Sequence, residues 1–66
     1  MDDIDIYRTA SVLITQHGKD AAIHAAMRAD EMLAAGDIDG QRVWQRVIKA
    51  IDQLLSEQPP EGSKLH

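Results

Sequence analysis

The apolar residues of this chain recur at intervals of three and four in three stretches that are separated by glycines. In the first stretch, from about residue 3 to residue 17, six residues share one side of a helix: Ile6, Tyr7, Ala10, Leu13, Ile14 and His17. At 100° per residue they fall within an arc of about 120°. Gly18 follows, and glycine readily adopts the left-handed conformation that ends a helix. The pattern predicts a first helix over residues 3–17.

The second stretch, residues 19–35, is rich in alanine, which favours a helix. One face contains Ala22, Ala25, Ala26, Ala29, Met32 and Leu33. Ile23, Met27 and Ala34 lie beside that face, so the apolar arc covers more than half of the circumference. A helix with so wide an apolar arc normally contacts two neighbours. We expect this second helix to end at Gly36.

The third stretch, residues 40–56, has the clearest amphipathic pattern. Its apolar side contains Val43, Trp44, Val47, Ile48, Ala50, Ile51, Leu54 and Leu55, and its polar side contains Gln41, Arg42, Gln45, Arg46, Lys49, Asp52 and Gln53. Asp39 is the predicted N-cap, with Ile38 and Val43 placed for a hydrophobic staple. Trp44 lies inside the apolar arc, and we expect it to be largely buried.

No alternating run of β-branched residues or hairpin dipeptide predicts a strand. Three helices with short connections predict an all-α fold, a compact three-helix bundle over residues 1–57. Residues 58–66 contain two prolines and a glycine and predict a flexible tail.

Length and composition limit how this bundle is stabilised. A chain of 66 residues is near the lower limit for independent folding. It has no cysteine, so disulfides and thiolate zinc sites are excluded. Stability must therefore come from well-packed helices, from self-association, or from both.

The charge balance narrows the classes of partner. The net charge of −4 argues against general binding to nucleic acid or to anionic membranes. No apolar run approaches the roughly 20 residues of a membrane span. The acidic start, Met1-Asp2-Asp3, is the opposite of the positive region of a signal peptide. We therefore expect a cytoplasmic protein.

Several segments carry a resemblance to a known family. They are residues 6–10 (IYRTA), 16–21 (QHGKDA), 24–30 (HAAMRAD) and 36–40 (GDIDG), followed by Val43, Trp44 and Arg46. Together they resemble a family of short bacterial proteins catalogued only as a domain of unknown function. The resemblance covers about residues 4 to 55. It implies a stand-alone bacterial protein and carries no activity, cofactor or site residue to transfer.

The segment GDIDG is similar to the middle of a calcium-binding EF-hand loop. If Asp37 and Asp39 are loop positions 3 and 5, Gly40 is the glycine expected at position 6. Position 1 is then Ala35 and position 12 is Arg46, so both end carboxylates are missing. A helix stop followed by a capped helix start explains the same residues, and we expect no calcium binding.

A second group with metal-binding chemistry is His17, Asp20 and His24. Two imidazoles and a carboxylate could bind zinc, but the HExxH spacing is absent. A histidine at a helix end beside a surface Asp–His pair is the more common structure. We expect no metal and no cofactor.

Enzymatic chemistry has little support in this sequence. The serines Ser11, Ser56 and Ser63 lack the context of a nucleophile elbow, and no glycine-rich phosphate loop is present. A core this small cannot enclose a substrate cavity of the usual size. We expect a protein that is not an enzyme.

The polar side of the third helix contains residue types that contact DNA: Gln41, Arg42, Gln45, Arg46 and Lys49. Helices two and three, joined by a short turn with glycine, also fit a helix-turn-helix loosely. The carboxylates Asp30, Asp37 and Asp39 crowd the start of that helix and would repel phosphates. A DNA-binding regulator is therefore the alternative hypothesis.

The remaining feature is surplus apolar surface: Ile23, Met27 and Ala34 on helix two, and Val12 on helix one. Either the third helix covers Ile23 and Met27, or these residues form a surface for self-association or a partner. The main hypothesis is a non-enzymatic protein–protein interaction module, regulatory or accessory, with a homodimer as one form.

Overall fold

The computed structural model describes residues 2–56, so the predicted flexible tail lies outside the described residues. The chain is all-α, as predicted. It contains α1 (Asp3–His17), one turn of 3-10 helix (Gly18–Asp20), α2 (Ala21–Ala34) and α3 (Ile38–Ser56), and no strand occurs within residues 2–56. None of these helices is long and apolar enough to cross a membrane.

The first helix ends where its glycine predicts. Gly18 adopts φ 60°, and its backbone N–H donates to the carbonyl oxygen of Ile14. The chain then continues as 3-10 helix through Asp20, so α2 begins at Ala21, two residues later than predicted. Because this connection is itself helical, α1 and α2 form one bent helical run that is interrupted at Gly18.

The connection between α2 and α3 is a Schellman turn joined directly to a helix cap. Gly36 adopts φ 79°. Its N–H donates to Leu33 O at 3.0 Å, and the N–H of Asp37 donates to Met32 O at 2.8 Å. These two bonds satisfy carbonyls that α2 leaves unpaired. The Asp37 carboxylate then accepts the N–H of Gly40 at 2.8 Å, so the residue that ends this turn also caps α3.

The predicted N-cap at Asp39 is therefore wrong. The third helix begins at Ile38, and Asp39 lies in its first turn. A staple requires its first apolar residue before the cap, so Ile38 cannot form one with Val43. The close approach of Asp37 also explains Gly40, since a Cβ there would lie 2.6 Å from Asp37 Oδ2.

Replacing Asp37 with alanine tests this cap. Asp37→Ala removes the only side-chain acceptor bonded to the N–H of Gly40 in the described chain, and should lower the free energy of unfolding by about 0.5–2 kcal/mol. Asp39→Ala is the matched control and should have a smaller effect, because Asp39 makes no capping bond. Urea denaturation followed by circular dichroism measures both. A larger loss for Asp39→Ala would contradict the assignment.

The core lies where α3 crosses both α1 and α2. Its buried residues are Ile6, Ala10, Ala21, Ala25, Ala29, Val47, Ala50 and Ile51. Five of these eight are alanines, so the helices approach closely and few large side chains fill the centre. The partly buried ring around them includes Leu13, Ile14, Val43, Trp44 and Leu54. Stability therefore depends on a small number of aliphatic side chains.

The predicted apolar faces of α1 and α2 are not wholly enclosed. Leu33 is 51% exposed and Tyr7 is 39% exposed, whereas Trp44, expected to be largely buried, is partly buried and packs against the core. Tyr7 lies at the edge of its apolar arc, and Leu33 lies in the last turn of α2. Small alanines allow only the middle of each arc to be enclosed, so residues at its margins stay in contact with water.

Candidate interaction surfaces

The main apolar surface of the chain is the outer face of α2, defined here as Ile23, Met27, Asp30 and Ala34. Their spacing of four, three and four residues places them in one stripe along the helix. Ile23 is 60% exposed, Met27 is 53% exposed, and Asp30 and Ala34 are also exposed. The buried alanines of α2 point to the opposite side of the helix. The alternative in which the third helix covers Ile23 and Met27 is therefore wrong.

The charged groups on this face are mainly carboxylates. Asp30 lies within the apolar stripe, and Asp20 and Glu31 flank it; all three are exposed. Arg28 lies on the flank of α2, where its Nη1 donates to Glu31 Oε1 at 3.2 Å. Asp30 has neither a hydrogen bond nor an ion pair with another described residue. The outer face of α2 is thus apolar and carries one carboxylate, Asp30, that has no pairing partner among residues 2–56.

Val12, predicted as part of the same surface, is 48% exposed but belongs to α1. It follows the buried Ile6 by six residues, which places it about 120° away from the buried line of α1. Two exposed residues at the α2–α3 connection, Leu33 and Ile38, are not among the predicted surface residues. Their position at helix ends, where fewer neighbours pack, is the signal that could have identified them.

The second surface is the basic stripe of α3, defined here as Arg42, Arg46 and Lys49. Their spacing of four and three residues aligns them on one side of the helix, and all three are exposed. With the exposed Gln45 they line an open depression of about 280 Å³. Gln41, also predicted for this face, is partly buried. The structure thus brings four of the five predicted residues together.

A groove between α1 and α3 lies beside the basic stripe, and the sequence analysis did not identify it. It measures about 340 Å³ and is lined by Asp3, Ile6, Tyr7, Arg46, Lys49, Ala50 and Gln53. The Tyr7 hydroxyl donates to Gln53 Oε1 at 2.6 Å, and Arg46 Nη2 donates to Asp3 Oδ1 at 3.3 Å. These two bonds link α1 to α3 across the groove. The polar groups that line it therefore contribute to the packing of these two helices.

The imidazoles of His17 and His24 stack, with ring centroids 3.6 Å apart and planes inclined by 15°. A metal ion lies in the plane of each imidazole that binds it, about 2.0–2.1 Å from the nitrogen. In stacked rings the nitrogen lone pairs run parallel and do not converge on one ion. Within residues 2–56 no group of three or more histidine, cysteine or carboxylate side chains is arranged for a metal. The stack instead holds the end of α1 against α2.

The GDIDG segment also has a structural use. The Asp37 carboxylate caps α3, and helix begins at the next residue, Ile38. An EF-hand requires this part of the chain to be a ligand loop, so these backbone positions are not those of a calcium site.

The sequence matches no protein-family model, and no curated protein or solved structure matches it either. The resemblance to the short bacterial family therefore stays a prediction.

Proposed function

We propose that this chain is a small, non-enzymatic protein–protein interaction module that acts in the cytoplasm as an accessory or regulatory protein. Its contact surface is the outer face of α2. The observation that supports this is the exposure of Ile23 and Met27, one helical turn apart, at 60% and 53%. No other helix of the described chain covers these side chains. Because the core is small, burying them against another protein would add stability that the free chain lacks.

The proposed working unit is a compact three-helix bundle, and the resemblance implies that it is a stand-alone bacterial protein. In it, α3 packs against the inner face of α2, opposite the outer face, and its residues Val47 and Ile51 are fully buried. The outer face is therefore presented on a supported helix. A preformed helix loses little conformational entropy when it binds, which favours helix–helix recognition. The alternative occupant of this face is a second copy of the chain, in a homodimer through Ile23 and Met27.

Aspartate at both apolar positions tests the proposal. Ile23→Asp combined with Met27→Asp should abolish capture of a stoichiometric protein from a lysate of the source cells. The stability of the free chain should change by only about 0.5 kcal/mol per site, since both residues are exposed. Retained capture by this double variant would contradict the proposal.

Two further measurements complete that experiment. An Arg42→Ala, Arg46→Ala variant, changed on the opposite side of the bundle, should keep the captured protein. Sedimentation equilibrium of the wild-type chain separates self-association from binding to another protein. If the homodimer forms, the aspartate variant should sediment as a monomer where the wild type sediments as a dimer.

A second candidate function is DNA binding through the basic stripe of α3. The specific observation in its favour is the alignment of Arg42, Arg46 and Lys49 on one exposed side. Against it stand the net charge of −4, the Arg46–Asp3 pair, and the exposed Asp37 and Asp39 at the start of that helix. A duplex DNA complex that weakens steeply with salt and is lost in Arg42→Ala, Arg46→Ala would favour this candidate.

A further inference from the structure

The outer face of α2 carries a carboxylate inside its apolar stripe. Asp30 follows Met27 by three residues and precedes Ala34 by four, so it lies in line with both. It is exposed and has no pairing partner among residues 2–56. Whatever covers Ile23 and Met27 must therefore also cover Asp30 or leave a gap for it.

This carboxylate disfavours a second copy of the chain as the occupant. If two copies pair antiparallel along the stripe, with Ile23 facing Ala34 of the other copy, Met27 faces Asp30. Each contact then removes two carboxylates from water with no cation opposite them. Arg28 does not supply one, because it lies on the flank and binds Glu31. Burial of an unpaired charge is strongly unfavourable, and like charges across an interface repel.

We propose that the outer face of α2 binds an amphipathic helix of a partner protein that carries lysine or arginine within its apolar stripe. Aliphatic side chains of that helix cover Ile23 and Met27, and the cation pairs with Asp30. A flanking cation meets Asp20, which is exposed. The net charge of −4 raises the rate of encounter with such a segment. This inference rests on the proposed function and adds the chemistry of the partner.

Two designed helical peptides of about 16 residues test the charge requirement. Both carry the same leucines at positions i, i+4 and i+7; one has lysines between and beside them, and the other has glutamates at the same places. Each is titrated into the isotope-labelled full chain, with amide shifts locating the contact and calorimetry giving the affinity. We expect the lysine peptide to bind more tightly and to shift the amides of Ile23, Met27 and Ala34.

Charge variants of the chain make the test specific. Asp30→Asn should weaken the lysine peptide about two- to fivefold, the range for one partly exposed ion pair. Asp52→Asn, which neutralises an exposed carboxylate on α3, is the matched control and should leave the affinity unchanged. Asp30→Lys combined with Glu31→Lys should reverse the preference in favour of the glutamate peptide.

Several results would overturn the inference. For the peptides, they are failure of the lysine peptide to bind and equal affinity of the chain for both peptides. For the chain, they are equal losses of affinity in Asp30→Asn and Asp52→Asn, and a wild-type dimer that buries Ile23. Equal affinities that are both lost in Ile23→Asp would overturn the charge requirement and leave the proposed function standing. Amide shifts confined to α1 or α3 would overturn both.

Discussion

Ile51→Ala is expected to lower the free energy of unfolding by about 2–5 kcal/mol. Ile51 is fully buried, and with Val47 it is one of the two largest side chains that the described core encloses completely. Truncation leaves a cavity in a core of which five of the eight buried residues are alanines, and alanine side chains are too short to move into it. Since small domains have a total stability of only about 5–15 kcal/mol, this loss should leave a substantial unfolded fraction.

Urea denaturation followed by far-ultraviolet circular dichroism measures this effect. Ile23→Ala is the matched control, because it removes the same atoms from a site that is 60% exposed. Its free energy of unfolding should stay within about 0.5 kcal/mol of the wild type. If the two variants were equally stable, the assignment of Ile51 to the core would be wrong.

Ala25→Leu is expected to destabilise the chain by about 1–3 kcal/mol or more, although leucine is itself a good helix former. Ala25 is fully buried on the inner face of α2. A larger side chain there must push α2 away from its neighbours or take a strained rotamer. For a domain of this size each kilocalorie lowers the Tm by about 4–8 °C, so thermal unfolding measures the effect well.

Ala34→Leu provides the control for that substitution. Ala34 lies on the same helix but on its exposed outer face, so a leucine there meets only solvent and should change the Tm little. An Ala25→Leu variant as stable as Ala34→Leu would refute the close approach of α2 to its neighbours on the alanine side.

The buried side of α3 was predictable because its pattern has a single interpretation. Every residue of its predicted apolar side is buried or partly buried, from Val43 to Leu55. Charged and amide side chains occupy the other side without a break, so only one orientation hides the apolar area. The basic stripe follows from the same periodicity, because Arg42, Arg46 and Lys49 share the side that α3 turns to water.

The orientation of α2 could not be predicted with the same security. More than half of its circumference is apolar, so several orientations bury a similar area. Alanines on the inner face permit the closest approach of α3, and that approach turns Ile23 and Met27 outward. The exposure of Ile23 and Met27 is therefore a consequence of packing between helices, and the sequence analysis left it as one of two alternatives.

The helix ends show the same division between local and tertiary causes. Within residues 2–56, positive φ occurs at Gly18 and Gly36, and their effect on α1 and α2 is local enough for the sequence to predict it. Asp37 and Asp39 are equally good caps by residue type. The Schellman turn determines where the chain leaves α2, and so which carboxylate reaches Gly40. By itself, the sequence determined the all-α class, the helix ends at glycine and the buried side of α3, because each depends on local conformation or on one unambiguous periodicity. Only the three-dimensional structure decided the cap, which depends on the path of the chain through the Schellman turn, and the exposed face of α2, which depends on how closely neighbouring helices approach.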